Sequence, residues 1–325
     1  MAQLTLVQAI NDALKTEMRR DKRVLVMGQD VGVDGGVFRA TEGLLEEFGS
    51  TRTLDTPLAE SGIVGAAIGM ALYGLRPVAE IQFDGFMLPA FDHFVSHAAR
   101  IRWRTRGRYH VPLVVRAPYG GGIHAPEHHS ESPEAYYAHT PGLKVVIPSG
   151  SHDAKGLLIS AIRDPDPVIF LEPKKIYRAF REEVPEGDYT VPLGQAKILR
   201  EGCDVTIASW GHMARVSMQA AEEAQEEGIG AEVIDLRTLV PLDIETLIQS
   251  IEKTGRCVLA QESPPTCGFA SELMALINEK AFSSLEAPPV RISAYDTTIP
   301  LYRLEDPYMP DAGKVLRGIQ NVMEF

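Results

Sequence analysis

The chain has 325 residues, 45% of them hydrophobic and 23% charged, with 28 glycines and 22 prolines. That length exceeds one ordinary domain, and that composition excludes disordered, fibrous and low-complexity classes. The 32 Lys+Arg against 44 Asp+Glu leave a net charge of -12, which disfavours a nucleic-acid partner.

The N-terminal stretch mixes apolar and charged residues from the start, and no apolar run reaches about 18 residues, so neither export nor a membrane span is expected. Cys203, Cys257 and Cys267 form no CxxC pair; a disulfide framework and a thiolate metal cluster are not expected, and a reducing, cytoplasmic setting fits. Residues 6–18 have amphipathic helical spacing, and VLVMG over 24–28 reads as a buried strand ending in glycine. TEGLLEEFG suggests a short helix, RTLDTP a strand and turn, and ESGIVGAAIGMALYG a helix whose small residues allow close packing. PVAEIQF follows as a strand, 91–101 as a helix, and VPLVVRAP and LKVVIPS as strands. A helix over 153–163 closed by DPDP leads to the buried strand VIFLEP.

Prolines, glycines and scattered charge between Tyr177 and Arg200 mark a connection. The reading is a first domain over 1–185, a linker over 186–200 and a second domain over 201–325. Beyond the linker the alternation restarts: DVTIASW, a helix over 212–227, AEVIDL, a helix over 242–251, RCVLAQE, a helix over 267–282, VRISAY and a final helix over 313–323. Strands separated by helices indicate α/β architecture, with mostly parallel sheets covered on both faces.

Three segments carry polar chemistry. GGGIHAPEHHSESPE gathers His124, Glu127, His128, His129 and Ser130 behind three glycines. Its H-x-x-E-H spacing matches an inverted zinc-protease motif formally, but Pro126 and the glycines oppose the helix that motif requires. A histidine on such a loop can move a proton or stabilise an oxyanion, or can be a surface or interface residue. In DTPLAESG, Thr56 as a cap and Pro57 at the first helical position would put Glu60 at the fourth, with an apolar run after it. Such a carboxylate is expected to be partly buried, with either a hydrogen-bonding task or a local structural role. Arg100, Arg102, Arg104, Arg106 and Arg108 make the one concentrated positive field, better suited to carboxylate pairing than to nucleic acid. Neither GxGxxG after the first strand nor GxxxxGK[ST] occurs, so nucleotide recognition has no signature.

Together DTPLAESGIVG, AEIQFDGF, the GGGIH to HHS loop, HTPGLKVVIPS with DAKGLL, IRDPDPVIFLEPK and AEVIDLRTLVPLD resemble the beta subunit of the E1 component of 2-oxoacid dehydrogenase complexes. The likeness spans nearly the whole chain. It implies a thiamine-diphosphate enzyme assembled as an α2β2 heterotetramer, with a pyrimidine-binding domain followed by a transketolase C-terminal-like domain. It implies that Glu60 hydrogen-bonds N1′ of the aminopyrimidine and promotes the imino tautomer that removes the thiazolium C2 proton. The activated cofactor decarboxylates a 2-oxoacid and passes the acyl group to a lipoyl arm of E2. His129 is implied in reductive acylation, Phe86 against the pyrimidine, Gln82 in the pocket and Leu58 in an apolar cofactor contact; His128 receives no role.

The same resemblance implies a potassium site at Leu113, Ala161, Ile162, Asp164 and Asp166, mostly through backbone carbonyls, with Asp166 where relatives often carry Asn. The GDG and downstream Asn that hold magnesium and diphosphate in thiamine enzymes are missing from the sequence, so the alpha subunit is expected to supply them. The acidic balance suits a basic peripheral-subunit-binding domain of E2, beside its lipoyl domain. Pyruvate is the expected substrate and branched-chain 2-oxoacids the alternative. Readings of another class are a self-contained transketolase-like enzyme and a non-catalytic structural or binding subunit.

Overall fold

In the computed structural model, which describes residues 1–325, the first helix starts at a reciprocal cap. Thr5 Oγ1 accepts from the Gln8 N–H at 3.4 Å, and Gln8 Oε1 accepts from the Thr5 N–H at 3.1 Å, satisfying donors that a helix start leaves open. The elements of the first unit are β1 (Ala2–Leu4), α1 (Leu6–Arg20), β2 (Val24–Gly28), α2 (Leu44–Phe48), β3 (Thr53–Asp55), α3 (Glu60–Leu72), β4 (Arg76–Glu80), α4 (Ile101–Arg104), β5 (Val114–Tyr119), α5 (Glu134–Ala138), β6 (Lys144–Val146), α6 (Ser151–Arg163), β7 (Val168–Pro173) and β8 (Glu182–Val184). Between β4 and α4 lie a 3-10 segment, Asp84–Ala90, and a π-helical turn, His93–Ala98. The second unit continues with β9 (Lys197–Arg200), β10 (Val205–Ser209), α7 (His212–Glu226), β11 (Ala231–Asp235), β12 (Thr238–Val240), α8 (Ile244–Thr254), β13 (Cys257–Ala260), α9 (Phe269–Ala281), β14 (Val290–Ile292), α10 (Glu305–Tyr308) and α11 (Ala312–Met323).

Within the first unit, β6, β7, β5, β4, β2 and β3 are neighbours in that order. All these pairings are parallel, with Val26 opposite Val78, Val78 opposite Val114 and Val114 opposite Val168. The core on this sheet holds Leu6, Ile10, Leu14, Leu157 and Phe170. In the second unit the order is β14, β13, β10, β11, β9, with only β9 antiparallel, around Val205, Ile207, Val258, Val315 and Ile319. This is the expected α/β architecture. No helix is long and apolar enough to cross a membrane.

The compact units are residues 1–120 with 128–193, and 121–127 with 194–325. The segment 121–127 therefore groups with the second unit, although the sequence reading put it in the first domain. Residues 197–200, read as linker, form β9, whose side chains are exposed or half-buried and so lack a buried strand's apolar signature. Residues 91–101, read as one helix, divide into the π-helical turn and α4.

One ion cluster crosses the centre of the first sheet. Arg116 on β5 is 1% exposed; its Nε and Nη2 donate to Glu172 Oε1 and Oε2 at 2.7 and 2.8 Å, and its Nη1 donates to Glu80. The Tyr177 hydroxyl donates to Glu172 Oε2 at 2.6 Å. Burial pushes the Glu80 carboxyl above its ordinary range, with the Arg116 charge opposing that shift. Arg116→Met would leave two buried carboxylates without their cation, so urea unfolding should show a loss of about 3–5 kcal/mol, and a loss under about 1 kcal/mol would contradict this account.

Candidate functional site

Because β2, β3, β4 and β5 run parallel, their carboxyl ends and the loops leaving them gather along one sheet edge. Open parallel sheets bind ligands at that edge. Leu58 and Glu60 follow β3, Gln82 and Phe86 follow β4, and His129 lies in the segment after β5.

α3 opens at Glu60 after Ala59, and no side chain caps it. The expected Thr56 cap does not form. The Thr56 N–H donates to Gly28 O at 3.0 Å, which ties this stretch to the end of β2 and delays the helix. Glu60 is therefore the first helical residue and not the fourth, in the turn where helix N–H groups lack intrahelical partners. The side chain is half-buried, and its carboxylate takes no hydrogen bond or ion pair from the chain. Nearby, Thr56 Oγ1 is buried without a partner, and Leu58 is 68% exposed.

Ser61 Oγ donates to Pro89 O at 2.5 Å, linking the first turn of α3 to the Phe86 segment. At Gly85 a Cβ would lie 2.3 Å from His128 O, so only glycine lets this segment meet the His128–His129 backbone. The His129 ring then packs on Phe83 and Phe86, with centroids 4.2 and 4.9 Å away. Gln82 Nε2 reaches Asp30 Oδ2 at 3.4 Å. Phe86 and His129 are thus in direct contact, and Glu60 is joined to them through Ser61 and Pro89.

The neighbouring histidines separate from this group. His128 is exposed, and His124 Nε2 lies 3.0 Å from Asp306 Oδ1 within the second unit. His124 and His128 both have left-handed backbone, with φ of 54° and 66°, so the H-x-x-E-H spacing forms no metal-binding helix.

The structure adds residues that sequence reasoning missed. Asp84 and Lys174 side chains are both 0% exposed, with Oδ1 and Nζ 3.8 Å apart, close enough for charge attraction and too far for a hydrogen bond. Burial pushes the Asp84 carboxyl up to about 7 against the pull of Lys174, and Glu131 adds to the rise. The Tyr137 hydroxyl and Ser130 Oγ are buried without partners, and burial also raises the Tyr137 phenol. The one available signal was Asp84 itself, an acid inside the apolar run IQFDGFML.

The positions assigned to potassium converge at the end of α6 and the turn after it. Their oxygens accept hydrogen bonds within the chain. Leu113 O accepts from the Val168 N–H at 2.9 Å and Ala161 O from the Asp164 N–H at 3.2 Å. Arg76 Nη1 donates to Ile162 O and Asp164 O at 2.7 and 3.2 Å, Lys144 to Asp164 Oδ2 at 2.6 Å, and Arg102 to Asp166 Oδ2 at 2.5 Å. Arg76, Lys144 and Arg102 thus bring positive charge to these oxygens, and each backbone carbonyl carries a second lone pair. Of the arginine run, Arg102 makes this carboxylate pair, while Arg100, Arg104, Arg106 and Arg108 are exposed.

Residues 2–179 match the family described as transketolase, pyrimidine binding domain, and residues 194–315 match transketolase, C-terminal domain. Over 325 residues the chain is 54% identical to the pyruvate dehydrogenase E1 component subunit beta of Bacillus subtilis (strain 168), with 100% of both chains covered. It is 51% identical to the protein of the same description from Staphylococcus aureus (strain N315), again over 100% of both. A solved chain described as split gene transketolase, inactive beta4 tetramer, is similar in fold, with a TM-score of 0.81 at 23% identity over 99% of each chain.

Asp84 sets a testable pH dependence. Its carboxyl titrates near 7 in the fold against an ordinary value of 3.8, so between those values the folded chain holds a proton that the unfolded chain has released. Its contribution to stability therefore falls as pH rises through that window. Asp84→Asn should gain on the parent in unfolding free energy between pH 4 and pH 7 and hold a constant difference above it, whatever fixed cost the substitution carries. Urea titrations at a series of pH values would read this, and parallel curves for the two proteins would contradict it.

Proposed function

The chain belongs to the family of E1 beta subunits of 2-oxoacid dehydrogenase complexes, and from that premise we propose that it joins an alpha subunit as an α2β2 heterotetramer acting on pyruvate. The named relatives favour pyruvate over branched-chain 2-oxoacids. The chain contributes the pyrimidine side of a shared thiamine-diphosphate site, and the alpha subunit contributes the magnesium and diphosphate side. When bound, thiamine diphosphate supplies an acidic C–H at thiazolium C2 and a ring that accepts the electrons released on decarboxylation.

The residues present fit the aminopyrimidine. Glu60 has an uncommitted carboxylate, Thr56 an orphaned hydroxyl, and Leu58 an uncovered apolar side chain. With the cofactor bound, Glu60 would hold a proton against N1′ of the aminopyrimidine, the interaction that raises the basicity of the exocyclic nitrogen. Phe86 and Leu58 offer apolar surface to the pyrimidine, and Gln82 lines the pocket. His129, set by Phe83 and Phe86, would supply or take the proton that reductive acylation of the E2 lipoyl group requires. The net charge of -12 suits docking to a basic E2 peripheral-subunit-binding domain, and three free cysteines suit a reducing cytoplasm. The observation that carries this reading is the half-buried, unpartnered Glu60 on the same sheet edge as Phe86 and His129.

Glu60→Gln in the reconstituted tetramer should slow hydrogen–deuterium exchange at cofactor C2 by about two orders of magnitude or more while assembly is unchanged. Unaltered exchange would remove Glu60 from this role. The chain alone should decarboxylate no 2-oxoacid and gain activity when the alpha subunit is added, faster with pyruvate than with 3-methyl-2-oxobutanoate. Cofactor-dependent turnover by the chain alone would refute the shared site.

A further inference from the structure

Past the Phe86 segment the backbone winds more widely than an α-helix. Residues His93–Ala98 are π-helical, and the Ala99 N–H donates to Phe94 O at 3.0 Å. In an α-helix, residues five apart lie about 140° apart around the axis, whereas i→i+5 bonding stacks them. The wide turn therefore brings Asp92 and His97 to one side, and His93 lies one turn before His97. The two imidazole centroids are 5.9 Å apart with the rings inclined at 31°. One potential ligand atom from each of Asp92, His93 and His97 lies within 4.8 Å of the others.

Neighbouring groups restrain these donors. Ser96 Oγ donates to Asp92 Oδ1 at 2.6 Å, the kind of outer contact that orients a ligating carboxylate. The His93 ring lies beside the α3 backbone at Gly65, and Phe94 is fully buried, anchoring the turn in the core. Two imidazoles and one carboxylate form a donor set for a borderline divalent ion of the first transition row. Asp92 and His97 are exposed, which gives such an ion an entry path and lets water fill the remaining coordination positions.

We propose that Asp92, His93 and His97 form a zinc-type divalent metal site on the surface of this chain. The site uses none of the residues assigned to thiamine diphosphate, so its chemistry is independent of the Glu60 reading. It lies on the segment that follows Phe86 and packs on α3, the helix that Glu60 opens.

The test is cobalt and zinc titration of the full-length chain carrying Cys203→Ser and Cys267→Ser, since both thiols are exposed and would compete for the ions. One equivalent of cobalt should bind with an absorption spectrum of nitrogen and oxygen ligation, and zinc should displace it. His93→Asn and His97→Asn should each weaken zinc binding about tenfold or more, measured by calorimetry, and Asp92→Asn by a smaller factor. His110→Asn, at an exposed histidine elsewhere, should leave the affinity unchanged. Circular dichroism of each variant should match the parent, because the altered side chains are exposed or only half-buried. Absence of saturable binding, or unchanged zinc affinity in a folded His97→Asn chain, would overturn the site.

Discussion

Everything at the candidate site depends on the parallel register of β2, β3, β4 and β5. A parallel strand must return to the same end before it can pair again, so successive loops leave from one edge. That edge carries Glu60, Gln82, Phe86 and His129, which are far apart in sequence. Arg116 fixes the same strands electrostatically. Glu80 stands directly opposite it on β4, and Glu172 lies on β7. In a sheet covered on both faces these charges have no water to fall back on, so the bidentate geometry and the Tyr177 hydroxyl must satisfy them internally. The cluster therefore resists a register slip, which would strand three buried charges and scatter the loops.

Much of this was legible in the sequence because burial writes apolar runs. VLVMG and VIFLEP are strands buried at every residue, as is the part of VPLVVRAP from Val114 on; Glu60 and His129 stand out as polar residues in their segments, whereas Phe86 is marked only by the family resemblance. The unread parts each have a physical reason. KILR alternates charge and partly exposed apolar residues, so β9 resembled a linker. Thr56-Pro57 looked like a helix start, but the bond from Thr56 N–H to Gly28 O overrides that local preference. The π-helical turn cannot be distinguished in a pattern read with α-helical spacing, since only the backbone shows which residues stack. Asp84 and Lys174 meet across 90 positions of sequence, and no local pattern announces such a pair.

The aromatic contacts separate His129 from its neighbours. His128 and His129 are adjacent, yet Gly85 admits the His128 carbonyl at close range while the His129 ring falls between Phe83 and Phe86. A ring packed against two phenylalanines, tilted on Phe83 and edge-on to Phe86, has few orientations left. His124 takes another course, held by Asp306 in the second unit. Three histidines within six residues thus receive different environments from backbone path alone.

The polar groups of the first unit divide by how they meet water. Glu80, Arg116, Glu172, Asp84 and Lys174 are sealed; opposite charges offset their burial, and Asp84 is eased further by holding its proton below about pH 7. Such groups position the sheet and the Phe83–Phe86 segment but cannot greet a ligand. Glu60 and Leu58 are open, and leaving them uncovered carries little penalty while water can reach the carboxylate and one apolar side chain is exposed. That division is consistent with the shared site proposed above. The sealed charges satisfy one another within the chain, whereas the half-buried Glu60 carboxylate and the exposed Leu58 side chain have no such partners in it.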